Sequence, residues 1–135
     1  MTKSAVIGSV GVRDKPLICI VDDDESVRLA VGALLRSVGY KNQAYASGQE
    51  FLQAGVAESI DCLIVDVRMK GMSGLELQRA LSDAGSTVPL IFISAHGDDD
   101  ARQRAIAGGC VDFLSKPFDE GALLDCVRRA LGPRS

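Results

Sequence analysis

Five short apolar runs recur along the chain: LICIV (17–21), QAYA (43–46), CLIVDV (62–67), PLIFIS (89–94) and VDFLS (111–115). Most are continuously apolar rather than alternating, a pattern that suits strands covered on both faces, as in a parallel sheet flanked by helices. The segments between them have helical spacing. Val27, Ala30, Val31, Leu34 and Val38 form one stripe, and Gly39 stands where it can end that helix. Ser47 with Glu50, ahead of Phe51 and Leu52, has the spacing of a capping box. So does Ser73 with Glu76, ahead of Leu77, Ala80, Leu81 and Ala84. Asp98, Asp99 and Asp100 are placed for the positive end of a fourth helix, ARQRAIAG, whose thin apolar face predicts loose anchoring. The last helix is expected from about Asp119 to Leu131, with Leu123, Leu124, Val127 and Leu131 on one side.

A strand followed by a helix, five times over, predicts an α/β fold: a doubly wound, five-stranded parallel sheet with five helices, joined by right-handed crossovers. Sites in such sheets lie at the carboxyl ends of the strands. Asp22 and Asp23 end the first strand, Asp66 the third and Ser94 the fourth, while the fifth runs into Lys116-Pro117. Each alone has a plain structural explanation: a solvated turn acid or helix cap, a turn hydroxyl, a surface lysine. Together, at matching strand ends, they make a coherent kit. Carboxylates brought together repel unless a cation neutralises them, and an all-oxygen set favours a hard divalent ion. A lysine adds a point charge for an oxyanion, and a hydroxyl adds a donor. Metal, lysine, donor and carboxylate nucleophile are the parts of phosphoryl transfer. No G-x-x-x-x-G-K-S/T loop is present, so the kit is not a P-loop nucleotide site.

Composition narrows the class. The chain has 135 residues, 47% of them apolar, which suits one folded domain, and no apolar run approaches the length of a membrane span. With 15 basic against 18 acidic residues there is no basic footprint for nucleic acid, and two Tyr, four Phe and no Trp make a poor stacking platform. The four cysteines form no C-x-x-C pair and are expected to be reduced, mostly buried side chains of a cytoplasmic protein. Residues 1–15 are expected to be a flexible leader, 16–132 the domain and 133–135 a tail. The leader's apolar stretch is too short and too broken by Gly and Ser for a signal peptide.

The stretches IVDDDESVR, IVDVRMKGMSGLEL, FISAH and DFLSKPF resemble the motifs of response-regulator receiver domains, the CheY-like superfamily, over roughly residues 16–132. The third-strand loop and SAHGD resemble most the receivers of nitrogen-fixation and LuxR-type regulators. The resemblance implies a flavodoxin-like sheet of order 2-1-3-4-5. It implies that Asp66 accepts a phosphoryl group from a histidine kinase. Asp23 and Asp66 would bind Mg²⁺ (or Mn²⁺) directly, helped by the backbone carbonyl of Arg68, with Asp22 acting through water. Lys116 would contact the phosphoryl oxygens, Ser94 would swing toward them, and Phe113 would turn inward with it. Pro117 would follow a cis bond. The face formed by the fourth helix, fifth strand and fifth helix would then meet a partner or a second copy of the chain.

Two positions depart from the family pattern. Lys70 stands where Pro is common, and Phe113 replaces the frequent Tyr. Arg68, Lys70 and His96 are expected to tune the site, Arg68 and His96 through the lifetime of the phosphoryl group. The main alternative is a haloacid-dehalogenase-type phosphohydrolase with Asp22 as nucleophile, since Asp22-x-Asp24-x-Ser26 fits D-x-D-x-T/S; it leaves Asp66 idle. A receiver that has lost phosphorylation would leave a carboxylate cluster without use. A stand-alone receiver and a piece of a longer regulator are both consistent with an end at Ser135.

Overall fold

The structure, a computed structural model, describes residues 15–95 and 98–132. The strands are β1 (Leu17–Val21), β2 (Lys41–Tyr45), β3 (Cys62–Asp66), β4 (Leu90–Ala95) and β5 (Asp112–Lys116). The helices are α1 (Glu25–Ser37), α2 (Gly48–Ala54), α3 (Gly74–Asp83), α4 (Asp99–Ala107) and α5 (Glu120–Leu131), with a short 3-10 turn at Ala57–Ser59. All four strand pairings are parallel and the order is β2-β1-β3-β4-β5, as expected.

The central strands bury both faces, which is why they read as unbroken apolar runs. Cys19, Val21, Leu63, Val65 and Phe92 face Phe51 of α2, Leu77 and Leu81 of α3, and Ala101 and Ala105 of α4. Ile18, Ile20, Cys62, Ile64, Ile91 and Ile93 face Val31 and Leu35 of α1, and Leu123, Cys126 and Val127 of α5. The helix boundaries follow their signals. Asp24 caps α1, and Gly39, at φ 93, closes it, with the Tyr40 amide bonded back to Leu35 O at 3.0 Å.

The departures lie at an edge. β2 runs from Lys41 to Tyr45 rather than from 43 to 46. An edge strand is held by backbone pairing, so the polar Lys41, Asn42 and Gln43 serve as well as apolar residues. Ala46 is drawn out of the strand because its amide donates to the Glu50 carboxylate at 3.3 Å. Glu50 therefore caps one residue earlier than a reciprocal capping box requires, and only Ser73 with Glu76 forms the complete box.

Candidate functional site

β1 and β3 are neighbours, with Val21 paired to Val65, so their next residues, Asp22 and Asp66, leave the sheet side by side. Asp22 has no exposed surface. Its Oδ1 accepts the Asp24 amide at 2.9 Å and its Oδ2 the Lys116 ammonium at 3.4 Å. Arg28 of α1 donates to its backbone carbonyl at 2.7 Å. Asp66 accepts the Arg68 amide on Oδ1 at 3.1 Å and Lys116 Nζ on Oδ2 at 3.0 Å. Asp23 is exposed, and its Oδ2 accepts the Lys70 amide at 3.1 Å. Lys70 therefore serves through its backbone, which any residue but Pro could supply.

One carboxylate oxygen from each of Asp22, Asp23 and Asp66 lies within 4.8 Å of the others. Burial pushes the Asp22 carboxyl up; the Asp24 amide and Lys116 oppose that, and the Asp66 charge adds to it. Burial pulls the Lys116 ammonium down, but its bonds and charge pairing with Asp66 and Asp22 outweigh this and leave it above its ordinary value. One ammonium cannot balance three carboxylates, two of them buried. The donors are all hard oxygens and one of the three faces solvent, so the residues present fit a hydrated divalent cation such as Mg²⁺.

Ser94, the next-to-last residue of β4, has no exposed surface, and its hydroxyl donates to Asp98 Oδ2 at 3.1 Å. The same carboxylate holds the Arg68 guanidinium through Nε at 2.9 Å and Nη2 at 3.0 Å. Those Arg68 bonds, foremost, keep the Asp98 carboxyl below the usual carboxylate range. Phe113 is buried on β5, its ring 6.2 Å from that of Phe92. The Lys116-Pro117 bond is cis. His96 lies outside the described residues.

Two residues of the site carry no signal of it in the sequence. Asp98 reads there only as a helix-end charge. Gly74 begins α3, and a Cβ in its place would lie 2.4 Å from the carbonyl oxygen of Asp66. The missing side chain lets α3 start against the end of β3, and its amide bonds Val67 O at 2.8 Å.

Known proteins resemble this chain in sequence and fold. Residues 18–128 match the response regulator receiver domain family. Among similar chains, response regulator protein TmoT of Ectopseudomonas mendocina is 45% identical over 115 residues, 85% of this chain and 52% of its own. Nodulation protein W of Bradyrhizobium diazoefficiens is 42% identical over 89% of this chain and 53% of its own. The chain thus spans about half the length of these relatives. A crystal structure of a response regulator receiver protein from Burkholderia phymatum superposes with a TM-score of 0.78 at 45% identity, covering 90% of this chain and 98% of the other. The FixJ-N crystal structure gives 0.81 at 33% identity over 92% and 98%. On the match of residues 18–128 to the family and on these relatives, the chain belongs to the response regulator receiver domain family.

Proposed function

We propose that this chain is the phosphoryl-accepting receiver of a two-component system and that Asp66 is the acceptor. The observation that carries this is the pairing of Lys116 with Asp66 at 3.0 Å inside the three-carboxylate cluster. A carboxylate oxygen of Asp66 would attack phosphorus. The new P–O bond would form as the P–N bond of a kinase phosphohistidine breaks, its electron pair returning to the imidazole. Asp23, Asp66 and the Arg68 carbonyl would hold Mg²⁺ or Mn²⁺, which would neutralise the phosphoryl oxygens. Lys116 would take one of those oxygens, and Ser94 another.

Asp22 is a poor nucleophile by comparison. Each oxygen of both carboxylates takes one hydrogen bond, but Asp22 has no accessible surface whereas Asp66 is 6% exposed. The phosphohydrolase alternative is therefore not favoured.

Phosphorylation adds charge and acceptor oxygens at the site, and the proposed output is a shift of the α4-β5-α5 face. Ile106 and Val111 are exposed there, which supports contact with an effector or a second copy. Transcriptional regulatory protein FixJ of Azorhizobium caulinodans is among the relatives, so a regulator of that kind is a fitting whole protein for this receiver. A cytoplasmic setting is part of the same proposal, supported by four free cysteines; among the described residues no helix is long and apolar enough to cross a membrane.

The test is incubation with acetyl phosphate and Mg²⁺, read by intact mass. The unaltered chain is expected to gain one phosphoryl group and Asp66→Asn none. Uptake by Asp66→Asn together with none by Asp22→Asn would overturn the assignment.

A further inference from the structure

Five helices of this domain begin with a polar residue, and four of those residues cap in the usual way. Asp24, Ser47, Ser73 and Asp119 all have extended backbones, and each accepts an amide from the first turn of its helix. Asp98 stands at the same position of α4 without a capping hydrogen bond of this kind, although the Ala101 amide is near enough to help hold its carboxyl down; its backbone is at φ -91, ψ 61. Its oxygens are spent elsewhere, both on Arg68 and one also on Ser94.

We infer that Asp98 is a positioning residue with two settings: latched to Ser94 and Arg68 before phosphorylation, and capping the amino end of α4 after it. The inference rests on Asp66 being the acceptor. Ser94 has a single hydroxyl proton and no exposed surface, so the proton given to Asp98 cannot also serve a phosphoryl oxygen. Arg68 lies two residues from Asp66, and a phosphoryl group there competes with Asp98 for its guanidinium. Once released, the Asp98 carboxylate can turn fully to the amides of the first α4 turn, where a negative charge is favoured. α4 buries only Ala101 and Ala105, so little else opposes rearrangement of that turn. The latch therefore weakens binding of the phosphoryl group, and the cap that replaces it carries the signal to α4.

Beryllofluoride with Mg²⁺, a non-covalent mimic of an acyl phosphate, tests this on the chain as it stands. Asp98→Asn keeps a capping oxygen but loses the charge that holds Arg68, and is expected to bind the mimic about tenfold more tightly than the unaltered chain, within the usual range of such couplings. Equal or weaker binding by Asp98→Asn would overturn the latch. Amide hydrogen exchange reads the cap directly. Protection of the Ala101 amide is expected to rise with the mimic in the unaltered chain, to be raised already without the mimic in Asp98→Asn, and to rise in neither state in Asp98→Ala. The same rise in Asp98→Ala would overturn the cap. An unaltered chain that does not bind the mimic at all would overturn the Asp66 assignment, and the latch with it; one that binds while Asp98→Asn matches it would overturn the latch alone.

Discussion

Helices α3 and α4 both start at the rim of the acidic cluster, and they are held in opposite ways. α3 begins with a complete capping box, in which Ser73 takes the Glu76 amide at 3.1 Å and Glu76 takes the Ser73 amide at 2.8 Å. It buries Leu77 and Leu81, and Gly74 sets its first turn against the carbonyl of Asp66. α4 begins with an Asp that makes no capping hydrogen bond, buries two alanines, and leaves Ile106 more than half exposed. Its cross-links to α3 include one from the buried Gln78 amide to Ala105 O at 3.1 Å. The lesson is a division of labour: α3 fixes the geometry at Asp66, whereas α4 is less firmly held and freer to answer a change there.

The largest expected effect breaks the fixed helix. Leu77→Ala removes a fully buried side chain and should cost about 2–5 kcal/mol. Its counterpart in α4, Ala105→Gly, should cost about 1 kcal/mol, mostly in helix propensity. Urea unfolding measures both, as shifts in midpoint at constant slope. Equal losses would mean that α4 is as firmly built in as α3.

A smaller effect tests the caps. Ser73→Ala opens the capping box and is expected to lose about 1 kcal/mol by the same measurement. Amide exchange in the unaltered chain should agree, with α4 amides opening at lower free energy than those of α3. Exchange that is equally slow in the two helices would remove the distinction between them.

Much of this was legible in the sequence, and the reasons it was or was not are physical. Continuous apolar runs such as CLIVDV mark strands buried on both faces, and they located β1, β3 and β4 to within a residue. β2 was displaced because an edge strand needs no apolar residues to pair. Asp22, Asp23 and Asp66 could be grouped as strand ends once the sheet was recognised, and the structure brings them together with Lys116. The tie from Arg68 to Asp98 spans thirty positions between two loops, and no local spacing announces it. Gly74 is likewise one glycine among 14 until the approach of Asp66 O shows why it has no side chain. Phe113 lies in register with Phe92 and is buried here.

The smallest effect concerns the far side of α4, where the chain enters β5 at Asp112. Asp112 Oδ1 accepts the Phe113 amide at 2.8 Å, and Oδ2 accepts the Cys126 thiol at 3.2 Å and pairs with Arg129. Burial pushes this carboxyl up, but the Phe113 amide, the thiol and Arg129 outweigh it and hold it below the ordinary carboxylate range. The thiol itself is pushed up to about 11, chiefly by burial, so it keeps its proton and remains a donor throughout the acid range. Because the folded pKa lies below the unfolded one, the stability contributed by Asp112 is fully present above about pH 4 and is lost as pH falls through the folded value. Arg129 is partly exposed, so the contribution should stay within about 1 kcal/mol. Asp112→Asn is accordingly expected to flatten the fall of stability below about pH 4, measured by urea midpoints at a series of pH values. An unchanged acid slope would show that Asp112 does not anchor the start of β5. A flattened one would show that Asp112 ties the start of β5 to Arg129 of α5, just beyond the loop by which the chain leaves α4.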